Sequence, residues 1–548
     1  MMNSALWKTL MIVRRCDKKA FGLRILYVVL QSMLPLLSLL VLKSLIDEVT
    51  AVVAHTSVGV GDSKMVMGLT VAFAVLFLLN RWVSTLSSVQ MDVLSQRLID
   101  YMGNLIQTQS ARLDMAYYDN PYFHDTFHRA QQESSYRPLQ LFNAFMSLFG
   151  AVLSLLMVGG MMLFASWEVI VIMVVSGIPA FVVKLYKSKT IYAFRRNHTQ
   201  DYRRTSYYSA VLSGRDFAKE VRLFGLSPYF RKLYVAGRES LVGQILRISR
   251  SIAWRDVLCS VVEAAALLGV MYFLIRGAFA GAITVGLFVM LFEAFRRGLS
   301  ALQSLTTSIA SLYDCRLFAN NIYEFLDLNP VIVSPDDPVP FPATVESVVF
   351  DDVTFRYPDM ECDVLSHFSL SASRGEVTLV EGENGFGKTT ALKLLLRLYD
   401  PSAGTIRING TDIRRFDLTE LRRGVRVIFQ DFVRFNCTLR ENICFGDIGS
   451  SVDEDRMLWA ASMSGVDGIA ASLPKQYDTM LGRMFDGGAE LSMGQWQRVA
   501  LARQLYGDAP ILFFDEATAW MDAAMRQQFY AAVESLKGER VIIMVRHK

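Results

Sequence analysis

Charge is what this sequence has least of. Asp, Glu, Lys and Arg supply only 20% of its 548 residues, while apolar residues supply 52%. That is more apolar side chain than one water-facing surface can hide, which excludes an ordinary soluble enzyme. Cysteine is sparse as well. Cys16, Cys259, Cys315, Cys362, Cys437 and Cys444 follow no metal-ligand spacing, and none falls in a stretch expected outside the cell, so reduced thiols are expected. No cleavable signal peptide is apparent: the apolar run behind the basic N-terminus is long enough to span a bilayer and lacks a clear cleavage site.

The apolar surplus is uneven. Long uncharged runs fill the first three hundred residues and are absent later. A helix needs about 20 mostly apolar residues to cross the hydrocarbon core, and six stretches qualify, centred on 25–42, 65–80, 141–164, 169–183, 257–275 and 282–295. Pro35 and Pro179 fall inside spans, where neighbouring helices can satisfy the freed carbonyls. Short links join spans three and four and spans five and six. Long, helically patterned segments join two to three and four to five, so the membrane helices are expected to run far beyond the lipid on that side. Lys and Arg crowd the N-terminal stretch (Lys8, Arg14, Arg15, Lys18, Lys19, Arg24) and the fourth-to-fifth connection, and are rare on the opposite face. This asymmetry places both termini and both long connections in the cytoplasm. The one-sided net charge of +4 speaks for topology and not for a nucleic-acid partner. The expected organisation is an all-α six-helix transmembrane domain over 1–320, a Pro-rich linker over 321–346, and an α/β P-loop domain with a helical subdomain over 347–548.

The second half carries the chemistry. Gly382-Glu383-Asn384-Gly385-Phe386-Gly387-Lys388-Thr389 follows an apolar strand and opens a helix that continues through Thr390, the context a P-loop requires. Its glycines let backbone N–H groups wrap phosphates, and the helix start adds a favourable dipole. Lys388 is expected to reach the β- and γ-phosphates of ATP, and the Thr389 hydroxyl to hold Mg²⁺. Downstream, Ile511-Leu512-Phe513-Phe514 reads as a buried strand delivering Asp515 and Glu516 at its carboxyl end, where ligands bind in open α/β sheets. Asp515 is the expected Mg²⁺ ligand, and Glu516 the group that polarises or deprotonates water.

Between these motifs stands Leu491-Ser492-Met493-Gly494-Gln495, which resembles the signature of the ATP-binding cassette (ABC) transporters, and the order P-loop, signature, Asp-Glu strand is that family's order. Further resemblances follow: Tyr357 to the aromatic that stacks on adenine, Gln430 to the Q-loop glutamine at the metal and the water, Asp522 to the D-loop aspartate, and His547 to the switch histidine at the γ-phosphate. The resemblance implies a type I exporter: half of a homodimer or of a heterodimer with a sister chain, multi-pass in the cytoplasmic (inner) membrane. In it, Ser492, Gly494 and Gln495 meet nucleotide bound by the partner's P-loop, and transport proceeds by alternating access.

Some features depart from the family pattern. Met493 stands where glycine is usual, Ala519-Trp520-Met521-Asp522 is not the usual small-residue D-loop, and the sequence stops one residue after His547, so a short C-terminus is expected. Short cytoplasmic helices that transmit motion are expected at 118–129 and 215–225. His124 and His128 share a helical face there, read as polar surface more than metal site. Glu263 in span five is a candidate functional carboxylate or a headgroup-zone residue. Glu293, Arg296 and Arg297 in span six have intrahelical pairing distances and otherwise suit a cavity wall. The stretches Gln495-Trp496-Gln497, 117–121 and 220–225 are similar to a branch of bacterial exporters of lantibiotic and other modified peptides. The expected cargo is therefore a peptide or modified peptide, its leader trimmed by another protein since no peptidase domain is seen. A lipid or drug cargo is the alternative, as is a weakly hydrolysing regulatory half.

Overall fold

The structure is a computed structural model. It describes residues 2–548 apart from 55–59, 121–122, 124–126, 128–129, 132, 135, 164–166, 359, 382–386, 450, 519–522 and 547–548. The chain divides into two compact units. One joins residues 1–111 with 126–327, and the other joins residues 112–125 with 328–548.

The first unit is built of helices, with no strand among its described residues. Helices α1 (Met2–Cys16), α2 (Lys18–Ala54) and α3 (Val60–Arg112) are followed by α4 (Met115–Asp119), which belongs to the other unit. Then come α5 (Arg137–Leu163), α6 (Trp167–Asn197), α7 (Thr199–Ser213), α8 (Ala218–Leu223), α9 (Ser227–Phe279) and α10 (Val285–Leu326). Helices α3 and α9 each run 53 residues, about 80 Å at 1.5 Å per residue, against a hydrocarbon core of about 30 Å. The long connections are thus the outer parts of these helices, as the patterning predicts.

Among the described residues, five helices (α2, α3, α5, α6 and α9) are long and apolar enough to cross a membrane. The sixth expected span lies in α10, which is 42 residues long. It carries Glu293, Arg296 and Arg297 in its apolar stretch, and these charges separate it from the other five. Pro35 and Pro179 sit inside α2 and α6 without ending them. Apolar side chains of α2, α5, α6, α9 and α10 close on one cluster around Leu39, Val158, Met173, Val270 and Phe295. Phe77, Leu156, Val175 and Leu268 are left on the outside, where a bilayer is the matching solvent.

The second unit holds two four-stranded sheets. Strands β1 (Ser347–Phe355), β2 (Leu365–Ser373), β4 (Ala403–Ile408) and β5 (Thr411–Asp412) form one, in the order β2-β1-β4-β5 with antiparallel neighbours. Strands β3 (Val377–Glu381), β6 (Val425–Ile428), β7 (Ile511–Asp515) and β8 (Val541–Arg546) form the other, parallel and ordered β3-β8-β7-β6. All five residues of β7 are buried, and their unbroken apolar run is what a parallel strand covered on both faces needs. Its alternate faces feed two cores: Ile511 and Phe513 join the one beneath β1, and Leu512 and Phe514 join the helical one. Helix α11 (Lys388–Leu395) packs in the first core. Helices α12 (Leu418–Gly424), α13 (Leu439–Cys444), α14 (Glu454–Ser464), α15 (Val466–Ser472), α16 (Met493–Tyr506) and α17 (Ala523–Leu536) complete the unit.

Candidate functional site

The parallel sheet sets the site. Strand β3 leads into 382–386, which lie outside the described residues and include Gly382, Glu383, Asn384, Gly385 and Phe386 of the expected P-loop. The chain returns at Gly387, with φ +75°, and enters α11 at Lys388. Only glycine suits this position. The backbone is left-handed, and a Cβ would stand 2.5 Å from the Leu365 side chain and 2.9 Å from the Val364 carbonyl. Among the described residues no side chain caps the start of α11.

Two strands away, β7 ends at Asp515, which is 1% exposed. The Thr389 hydroxyl donates to its Oδ2 at 2.8 Å. Burial pushes the Asp515 carboxyl up from its ordinary range, and the neighbouring Glu516 charge adds to this, while the Thr389 hydrogen bond and Lys388 oppose it. At Glu516 the backbone turns left-handed, with φ +51°, which costs on the order of 1–2 kcal/mol for a non-glycine residue. Its Oε2 accepts from Gln430 Nε2 at 2.9 Å. Gly387, Lys388, Thr389, Thr390, Gln430 and Glu516 line one cavity of about 340 Å³ together with Val364. Sequence reasoning passed over Val364, which brings only position and apolar surface.

Beside this cavity, Tyr357 exchanges a hydrogen bond with Thr390 at 3.1 Å. Its ring stands edge-on to Phe355 and to Tyr399, with centroids 4.9 and 5.2 Å away. Ser492, Gly494 and Gln495 are not among the residues lining the cavity. They form the start of α16, where the Ser492 hydroxyl accepts from the Gln495 N–H at 3.3 Å and the Gln495 side chain accepts from the Ser492 N–H at 2.8 Å, a capping box. Met493 is the first helical residue, 39% exposed, and is not one of the positive-φ positions. Gln497, read from sequence only as part of a stretch similar to one exporter branch, ties the two motifs together: it is buried and donates to the Ala517 carbonyl at 2.6 Å, linking α16 to the segment after Glu516. Asp522, His547, His124 and His128 lie outside the described residues.

The segment after α3 joins the same unit. Helix α4 overlaps the start of the expected segment 118–129, which otherwise lies outside the described residues apart from Asn120 and the helical Phe123 and Phe127, and Ala116 packs on the core beneath β1. Asp114 Oδ2 accepts from the Val331 and Ile332 N–H groups at 2.5 and 3.3 Å, and the Tyr117 hydroxyl donates to the Asn329 carbonyl at 3.0 Å. The Tyr399 hydroxyl donates to Asp119. Burial and the adjoining Asp119 carboxylate push Tyr399 far above the ordinary phenol range, so it remains a donor. The second expected transmitting segment contains α8, whose Val221 is buried within the membrane unit.

Within the membrane unit, Glu263 accepts two hydrogen bonds from Gln303 of α10, at 3.0 and 3.1 Å. Glu293 pairs with Arg296 at 2.8 Å and with Arg297 at 3.4 Å, the intrahelical reading of that spacing.

A P-loop helix and an Asp-Glu strand end on one parallel sheet, with a capped signature helix beside them, define a nucleotide-binding domain of the ABC type, here joined to a bundle of membrane-spanning helices. Residues 365–519 match the family model described as ABC transporter, which marks this part of the chain as an ABC transporter ATPase domain. It is similar to the subtilin transport ATP-binding protein SpaT of Bacillus subtilis, 27% identical over 99% of this chain and 87% of that protein. It is also similar to the nisin transport ATP-binding protein NisT of Lactococcus lactis subsp. lactis, 24% identical over 98% and 88%. A solved bacterial Atm1-family ABC exporter with ATP bound matches with a TM-score of 0.79 and 21% identity, over 97% of this chain and 92% of that one. The fold is that of a type I ABC exporter: a helical membrane domain followed by the ATPase domain. The protein is multi-pass in the membrane, with its ATPase domain in the cytoplasm.

Proposed function

We propose that the chain hydrolyses ATP and uses the cycle to export a peptide or modified peptide across the cytoplasmic membrane. The observation that carries this reading is one cavity in which Lys388, Thr389, Gln430 and Glu516 converge above buried Asp515, at the carboxyl ends of parallel strands and the open start of a helix. There the α11 N–H groups and Lys388 would hold the β- and γ-phosphates, residues 382–387 and Thr390 would complete the cradle, and Tyr357 would face the adenine.

The residues fit Mg²⁺. Asp515 is a buried carboxylate whose desolvation a cation offsets, and Thr389 and Gln430 add neutral oxygens to a hard-ligand set. Bound there, Mg²⁺ supplies positive charge to the phosphate oxygens. Glu516, turned into the cavity by its left-handed backbone and held by Gln430, would orient the attacking water and accept its proton. His547 would contact the γ-phosphate.

Ser492, Gly494, Gln495 and Asp522 would serve nucleotide held by a second chain. The functional unit is therefore a dimer, of this chain with itself or with a sister. Joining and release of the two ATPase domains would pass to the membrane helices through α4 and α8. A full switch between inward and outward states needs about 5.5 kcal/mol of differential binding, which two nucleotides clamped between domains can supply. The peptide reading is supported by full-length similarity to proteins named for subtilin and nisin transport.

The test is phosphate release by the purified chain in lipid nanodiscs. Glu516→Gln should retain ATP binding and lose at least about a hundredfold in turnover, and Lys388→Ala should lose binding. Undiminished turnover in Glu516→Gln sinks the assignment. Absence of turnover in the unmodified homodimer moves the chain to the role of a regulatory half that needs an active sister.

A further inference from the structure

The membrane unit contains two adjoining cavities that the ATPase reading leaves unused. One, of about 350 Å³, lies among α2, α5 and α10, with Arg24 and Arg297 in its wall. The other, of about 470 Å³, lies between α5 and α10 and contains Arg137. They share Ser147 and Ser304 as walls. Neither lining holds an Asp or Glu, and the space between the cations is walled by small hydroxyl and alanine side chains such as Ser300 and Ala301.

The cations are poorly matched from within. Arg24 donates to the Ser87 hydroxyl, and no carboxylate pairs with it among the described residues. Arg297 shares Glu293 with Arg296, and it is Arg296 that takes both carboxylate oxygens, at 2.8 Å each. The Nε of Arg24 is buried and without a hydrogen-bond partner, and that of Arg297 is held only by its 3.4 Å ion pair with Glu293. A guanidinium drawn out of water without an acceptor is costly, and its fork of donors matches a carboxylate in particular. Arg24 and Arg137 lie near the cytoplasmic ends of α2 and α5, the side from which an exporter takes its cargo.

We propose that these cavities form one intake vestibule for an acidic peptide segment, with Arg24 and Arg297 pairing its carboxylates and the serine walls meeting its backbone. This rests on the export reading above and names the chemistry of its cargo. A peptide is favoured over an acidic lipid because the second cavity, which continues from the first, is walled by hydroxyl and amide side chains and by no large apolar one, although Val28, Leu36 and Met146 line part of the first.

The test uses the full chain in phosphatidylcholine nanodiscs without nucleotide. Short Gly/Ser peptides carry glutamates or, at the same positions, glutamines, and bear the same neutral dye for fluorescence anisotropy. The glutamate peptide should bind about tenfold tighter or more, the scale of a charge-assisted hydrogen bond. Arg24→Gln with Arg297→Gln should erase that preference, while Arg24→Lys with Arg297→Lys should keep part of it. A readout that needs no variant is salt: raising ionic strength should weaken the glutamate peptide and leave the glutamine peptide nearly unmoved. Equal binding of the two peptides overturns the charge assignment while leaving peptide export standing. Failure of both to bind, or displacement of nothing but a short-chain phosphatidic acid, overturns the peptide occupant itself.

Discussion

Two helices in the ATPase unit begin in opposite ways. Helix α11 starts behind Gly387 with no side-chain cap, whereas α16 starts with Ser492 and Gln495 closing a reciprocal capping box. Both starts present the positive end of a helix dipole. The first has no side-chain cap among the described residues and stands beside a buried carboxylate and a lysine. The second satisfies its own donors and is stable alone. The difference suits the roles proposed for them. A bare start is incomplete until phosphate arrives, and a capped start waits for nucleotide that a second chain carries. The same logic extends to the membrane unit, where Arg24 and Arg297 likewise call for an anion.

The largest effect expected from breaking this contrast is at the bare start. Thr389→Val keeps the shape of the side chain and removes the hydroxyl that donates to Asp515 at 2.8 Å. Asp515, already raised by burial, loses its donor, and the proposed metal loses an oxygen. Steady-state phosphate release should fall about a hundredfold or more, the scale seen when a preorganised electrostatic group is lost. Turnover within a factor of about three of the parent would show that the hydroxyl only supports the fold.

The capped start should respond less, and in two separable readouts. Ser492→Ala removes the N-cap acceptor, which costs about 1 kcal/mol and should lower the thermal midpoint by about 2–4 °C in a domain of this size. If Ser492 also meets the partner's nucleotide, turnover should fall about tenfold as well, the loss of one hydrogen bond to a charged group. A lowered midpoint with intact turnover would reduce Ser492 to a cap.

Much of this was legible in the sequence, for identifiable reasons. Gly387, Lys388 and Thr389 lie in one run, and Asp515 and Glu516 in another, because phosphate and metal sites built on a sheet edge are local in sequence. The membrane helices were legible from uncharged runs of the right length. What stayed hidden depends on side chains that meet across helices. Arg24 read as an orientation signal and Arg297 as an intrahelical partner of Glu293. Only the packing of α2, α5 and α10 puts them in one vestibule. Glu263 likewise gave no hint that Gln303, 40 residues on, would take both its oxygens. The expected helix over 118–129 lies largely outside the described residues: α4 ends at Asp119 with Asn120 as its C-cap, and beyond it the described Phe123 and Phe127 are helical.

Met493 stands where glycine is usual, and its backbone does not demand a glycine. The concern was that a side chain where glycine is usual blocks the backbone from phosphate. Position 493 is the first residue of α16 and needs no left-handed backbone, so glycine is not required there on conformational grounds. The side chain lies partly in solvent, next to a capping box formed by Ser492 and Gln495 and not by residue 493. Met493→Gly should therefore change turnover by less than about twofold, while removing a better helix former at a cost of at most about 1 kcal/mol. A gain of about tenfold in phosphate release would mean that the methionine shields the α16 start from the partner's nucleotide, and that this capped start is held back from its ligand in a way its own hydrogen bonds do not explain.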